Sequence, residues 1–123
     1  MTLWGLICTS DQSHQLGCGS DLDSAKPVFG LRRTRYVHGP AGHDAVDLGP
    51  EEEGSVDYPD FGVKLAMALK HDHVGRGIAI CGSGIGISIA LNRFSWVRAA
   101  LVSQPEAAEL ARQHNDANVL ALG

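Results

Sequence analysis

No apolar run in this 123-residue chain approaches the ~20 residues that cross a bilayer. Its opening, MTLWGLICTS, lacks a basic n-region and carries too short an apolar part for a secretory signal. Cysteine is sparse and odd in number: Cys8, Cys18 and Cys81 have no metal-type spacing. A reduced, cytoplasmic protein is therefore expected. Ten lysines and arginines stand against fourteen acidic residues, a net charge of −4, and no basic stripe extends beyond Arg32, Arg33 and Arg35. That balance argues against a nucleic-acid surface. Internal repeats and low-complexity stretches are also missing. The length suits a single domain over residues 1–123 with one core.

What is present centres on GIAICGSGIGIS, Gly77 to Ser88. Ile78, Ala79 and Ile80 suit a fully buried strand, and Cys81 sits where that strand must end. Gly82, Gly84 and Gly86 alternate with Ser83 and Ile85, and an apolar face then continues helically to about Asn92. A strand, a glycine turn and a helix N-terminus form an anion cradle, because unpaired amides and the helix dipole converge. The glycine spacing does not fit the dinucleotide fingerprint, and the lysine of a nucleotide-triphosphate loop is missing. A cysteine in this position is either a buried structural thiol or a base at the lip of the cradle. As a base it would take a proton in its thiolate form.

The flanking text alternates strands and helices. Leu3 to Thr9 and Asp44 to Leu48 are read as strands, and Gly49 to Gly54 as an acidic loop. LRRTRYVH, without a clear apolar face, is read as a short helix or an arm. Pro59 suits a first helical turn, and Phe61, Leu65, Ala68 and Leu69 recur at helical spacing, so Asp60 to Lys70 is an amphipathic helix. Val97 to Val102 is a strand, Glu106 to Gln113 a helix and Asn118 to Leu122 the last strand. Such alternation implies βαβ units and a parallel sheet, with ligands beyond the carboxyl ends of the strands. Gly49, Cys81, Ser103 and Gly123 fall at such ends, and His114 and Asn115 are read as a loop at the same functional edge. His114 could serve there as an acid or base. Asp57 and Tyr58 either cap the Asp60 helix or line the cleft. His71 and His73 have a spacing that suggests a metal, but no partner set supports it, and no metal is expected.

GHDAVDLG, SVDYPDF, GIAICGSGIGISIALNRF, VRAAL and ARQHNDANVLALG, in this order and spacing, resemble the type B ribose-5-phosphate isomerases and the related galactose-6-phosphate isomerase subunits. The likeness covers nearly all of residues 42–123. It implies a three-layer Rossmann-like α/β sandwich around a mostly parallel, five-stranded sheet. It also implies a homodimer, or a dimer of dimers, with the active site between two subunits. The implied reaction interconverts ribose 5-phosphate and ribulose 5-phosphate, in the pentose phosphate pathway, through a cis-enediolate and without metal or cofactor. Cys81 matches the base, His114 the acid that opens the sugar ring, and Asn115 a substrate contact beside it. The amides of Gly82, Ser83, Gly84, Ile85 and Gly86 match the anion hole. Ser83 stands where relatives often carry threonine, and Tyr58 matches a residue of the sugar-phosphate pocket.

The departures are in residues 1–41. Relatives carry an Asp-His-x-Gly turn after their first strand, and no Asp-His pair precedes Gly42 here. Asp21, at nearly the right distance from Gly42, is the candidate to replace it. Residues 1–41 are thus atypical or poorly ordered, divergent or from a shifted reading frame. Relatives also continue past the position of Gly123 with a helix and phosphate-clamping arginines, so the dimer contact is expected to be weakened. Isomerisation of an allose, galactose or four-carbon phosphate is a rival expectation. A catalytically impaired sugar-phosphate-binding subunit is another.

Overall fold

The computed structural model describes residues 3–10, 35–38, 44–50 and 56–123. The elements are β1 (Leu3–Ser10), β2 (Arg35–His38), β3 (Asp44–Asp47), α1 (Tyr58–Lys70), β4 (Arg76–Cys81), α2 (Ile85–Leu91), β5 (Ala99–Leu101), α3 (Pro105–Asn115) and β6 (Val119–Leu122). One six-stranded sheet has the order β2-β3-β1-β4-β6-β5. The α/β fold with parallel strands is as expected, but the described residues place six strands in the sheet rather than five, and it is parallel only in part. β4 pairs with β6, and β5 with β6, in parallel. β1 is antiparallel to both β3 and β4, and β2 is antiparallel to β3. A parallel pair needs a crossover, usually a helix. The chain from β4 to β6 supplies two, α2 and α3, whereas no helix lies between β1 and β3 among the described residues. LRRTRYVH ends in β2 rather than a helix, since a segment without an apolar face gains more from pairing with β3.

The core lies between the sheet and the α1–α2 layer. Phe61, Leu65, Ala68 and Leu69 are buried as their spacing predicts, together with Ala66. Along β4, Gly77, Ala79 and Cys81 are buried while Ile78 and Ile80 are half-buried. The register sets Gly77 beside Val119 and Ala79 beside Ala121, so the small buried residues of two strands form one face. Leu65 presses into that face: a Cβ at Gly77 would stand 2.7 Å from its Cδ1. Leu65, Ile87 and Leu91 are fully buried, each contributing roughly 1.5–3 kcal/mol.

Two asparagines finish the sheet where the strands themselves stop. Asn92 donates from Nδ2 to the Ala99 carbonyl (2.8 Å) and accepts from the Ala99 amide (2.9 Å), pairing with the start of β5 as a strand would. Asn118 accepts from the Arg98 amide (2.8 Å) and donates to the Trp96 carbonyl (2.9 Å). Trp96 in turn donates from Nε1 to the Ala66 carbonyl of α1 at 2.7 Å. α3 lies across the other sheet face, beside Ile78 and Leu120, with a cleft of about 220 Å³ beneath it and none of its own residues buried.

Candidate active site

β4 delivers Cys81 to the carboxyl edge of the parallel strands, where the chain turns into α2. Gly84 is the N-cap of α2 in a left-handed conformation (φ 69°), which glycine adopts without penalty. It also has no room for a side chain, because a Cβ would meet Leu101 Cδ1 at 2.5 Å and the Leu122 carbonyl carbon at 2.9 Å. Gly123 lies against Ser83, where a Cβ would come within 2.5 Å of the Ser83 carbonyl carbon. The ends of β5 and β6 thus brace the glycine turn from behind. The first amides of α2 have no intrahelical acceptor and remain available to an anion. Ser83 Oγ accepts one of them, from Ile85, at a long 3.4 Å.

Cys81 is a free thiol but does not sit at the lip. It is 1% exposed and belongs to the hydrophobic core, because the alternation that buries Gly77 and Ala79 turns it inward too. The open side of the turn is next to it: Gly82 and Ser83 are exposed, and a Cβ on Gly82 would meet nothing within 4 Å. Tyr58 opens α1, and its ring lies against the first turn of α2 at Gly86. Asp57 is the N-cap of α1 but makes no side-chain capping bond, so capping does not account for it. The structure therefore brings together Cys81, Gly82, Ser83, Gly84, Ile85, Gly86 and Tyr58.

His114 and Asn115 do not join them within this chain. They form the last turn of α3, not a loop, and α3 runs back along the sheet to the amino end of β6. There the Asn118 carbonyl accepts from the amide of Gly77, at the start of the strand that ends in Cys81. About four strand residues, on the order of 13 Å, separate the two edges. A crossover helix must return the chain to the amino edge before the next parallel strand begins, so both residues lie at the edge opposite the one expected for them. Asp21 lies outside the described residues. β1 runs antiparallel to β4, with Thr9 beside Arg76, so its carboxyl end is also at the edge away from Cys81. Among the described residues no group of three or more metal-ligating side chains occurs, and His71 and His73 stand 6.0 Å apart between ring centroids. No described helix is long and apolar enough to cross a membrane.

Residue-pattern reading missed the cluster around α3's end. Arg98 and Arg112 both pair with Asp116, at 2.8 and 2.6 Å. Asp116 is a non-glycine residue at φ 48°. The HND tripeptide, whose aspartate and asparagine tolerate left-handed backbone, was the available signal.

The profile of the Ribose/Galactose Isomerase family matches residues 32–123. Ribose-5-phosphate isomerase B of Escherichia coli is 46% identical over 82 residues, 67% of this chain and 55% of that protein. Among solved structures, ribose-5-phosphate isomerase B of Clostridium thermocellum superposes with a TM-score of 0.59 at 53% identity, covering 61% of this chain and 51% of that one. The Mycoplasma genitalium ribose-5-phosphate isomerase B, solved with bound ribulose-5-phosphate, gives a TM-score of 0.58 at 46% identity, covering 63% and 53%. The chain spans about half the length of the curated relatives it matches.

Proposed function

This chain belongs to the Ribose/Galactose Isomerase family, and on that premise we propose that it is an aldose–ketose isomerase acting on ribose 5-phosphate and ribulose 5-phosphate. The observation that carries this reading is the thiol of Cys81 directly before the glycine-shaped turn of residues 82–86, in which Gly82, Ser83 and Ile85 are exposed. In the open-chain aldose, Cys81 as thiolate takes the proton from C2 and returns it to C1. The intermediate is a cis-enediolate, and the amides of the turn from Gly82 to Gly86 hold its developing oxyanion. The Ser83 hydroxyl, which among the described residues accepts a long bond from Ile85, exchanges that bond for one to a substrate oxygen. Tyr58 bounds the pocket from the α1 side. The proton leaves one carbon and arrives at its neighbour, so no redox partner is consumed.

His114 serves as the acid that opens the sugar ring, with Asn115 beside it, and both are supplied by the second subunit of a homodimer. Their placement at the edge opposite Cys81 supports this division of the site. The exposed faces of Ile85 and Ile89, 52% and 60% accessible on α2, give the partner an apolar seat beside the glycine turn. A reduced, cytoplasmic setting fits a free thiol base. Burial of Cys81 to 1% favours a second reading, a sugar-phosphate-binding subunit without turnover.

The deciding assay measures ribulose 5-phosphate formation from ribose 5-phosphate by the purified chain, alongside Cys81→Ala. Loss of the base should lower the rate by about 10²–10⁴-fold. Equal rates in the two proteins would remove Cys81 from the chemistry. Binding of a pentose phosphate without conversion would select the non-catalytic subunit, and a panel of allose, galactose and four-carbon phosphates reads the substrate preference.

A further inference from the structure

We propose that Arg98 and Asp116 are positioning residues that fix the His114–Asn115 end of α3 for the partner's site. This rests on the reading of His114 given above. Asp116 follows Asn115 directly as the C-cap of α3, with φ 48° and ψ 38°. Aspartate tolerates left-handed backbone, and helices commonly end on such a residue, so what matters at Asp116 is the set of groups that hold it. Here the surroundings are specific. Arg98 donates from Nε to the Asp116 carbonyl (2.7 Å) and from Nη2 to its carboxylate (2.8 Å), so one guanidinium fixes both backbone and side chain. Arg112 reaches the other carboxylate oxygen at 2.6 Å and the Ala117 carbonyl at 3.1 Å.

Arg98 is itself anchored. Its amide donates to Asn118 Oδ1 at 2.8 Å, and its carbonyl accepts from the amides of Asn118 (3.1 Å) and Val119 (3.3 Å). The guanidinium therefore extends from the rigid start of the parallel sheet to the residue immediately after the His114–Asn115 pair. The same end is also closed by the Ala117 amide donating to the Ala111 carbonyl (3.1 Å) and by the burial of Ala117, while α3 itself buries none of its residues. The pairs are open to solvent, with side chains 45%, 47% and 68% exposed for Arg98, Arg112 and Asp116. Exposed pairs add little to stability, which leaves orientation as the effect of the planar, two-point arginine contact.

The test uses Asp116→Gly and Asp116→Asn in the full chain. Glycine relieves the left-handed backbone and removes the carboxylate, so Asp116→Gly should melt no lower than the parent. Its kcat should nevertheless fall about tenfold, because small misplacements of an acid are costly. Asp116→Asn keeps an acceptor for Arg98 and should retain more activity than the glycine variant. Added to His114→Ala, Asp116→Gly should cost nothing further, since both act through one imidazole. Full kcat in Asp116→Gly, or an equal loss in the His114→Ala background, would overturn the proposal. Amide exchange at residues 114–117 is read in parallel and needs no turnover. Faster exchange in Asp116→Gly supports the clamp, and unchanged exchange refutes it. An active His114→Ala protein with faster exchange in Asp116→Gly would instead show that the clamp exists and that the role given to His114 is wrong.

Discussion

The Tyr58 ring occupies the space that a side chain on Gly86 would need: a Cβ there would stand 2.7 Å from both Cζ and Oη of the tyrosine. Two segments 28 positions apart are thereby locked together at the mouth of the glycine turn. Gly86→Ala should lower stability by about 1–2 kcal/mol in urea unfolding, because overpacking outweighs the helix propensity gained. In a Tyr58→Ala background the same change should stabilise by up to about 1 kcal/mol. A destabilisation of the same size in both backgrounds would show that the ring is not the obstacle.

Gly84 and Gly82 should separate stability from chemistry. Gly84→Ala forces a side chain into left-handed backbone and against the Leu122 carbonyl carbon at 2.9 Å. It should cost about 2–4 kcal/mol. Gly82→Ala enters open space and should change stability by no more than about 0.5–1 kcal/mol. On the proposed mechanism, in which the Gly82 amide faces the substrate, its effect should appear in turnover. Comparing urea midpoints with rates for both variants checks the contrast.

If the site is shared between the two subunits of a dimer, as proposed, Cys81→Ala and His114→Ala are complementary. Mixed in equal amounts and allowed to exchange subunits, half of the dimers are hybrids, each with one intact site. Activity should recover to about a quarter of the parent's from two inactive preparations. No recovery, despite hybrids seen by native mass spectrometry, would place both groups in one subunit's site.

Asn118→Asp exchanges the amide that donates to the Trp96 carbonyl at 2.9 Å for an oxygen facing that carbonyl. The acceptor toward the Arg98 amide is kept. A loss of about 1–3 kcal/mol in thermal or urea unfolding is expected. An unchanged midpoint would mean that the pairing with β6 and the two Asn92 bonds to Ala99 hold β5 without the Asn118–Trp96 bond.

Local chemistry makes much of this protein legible in its residues alone. The helical spacing of Phe61, Leu65, Ala68 and Leu69 gives the buried face of α1, because periodicity reports directly on which side meets a core. The glycines of residues 82–86 announce a turn between strand and helix, and Gly84 is left-handed as such a turn requires. The spaced motifs point to the family whose profile the chain matches.

Three matters are decided only by the assembled chain. Cys81 is buried because strand alternation and the register with β6 turn it toward α1 and α2, a fact of packing that its neighbours in sequence do not contain. β1 is antiparallel because strand direction depends on which partners it lies between. His114 lies at the edge away from Cys81 because a parallel crossover returns the chain to its starting edge, and the left-handed Asp116 held by Arg98 sets how that end is presented. Composition and spacing determine which chemical groups are present. Register, crossover direction and close packing determine which of them share a site, since those depend on contacts between residues far apart in the chain.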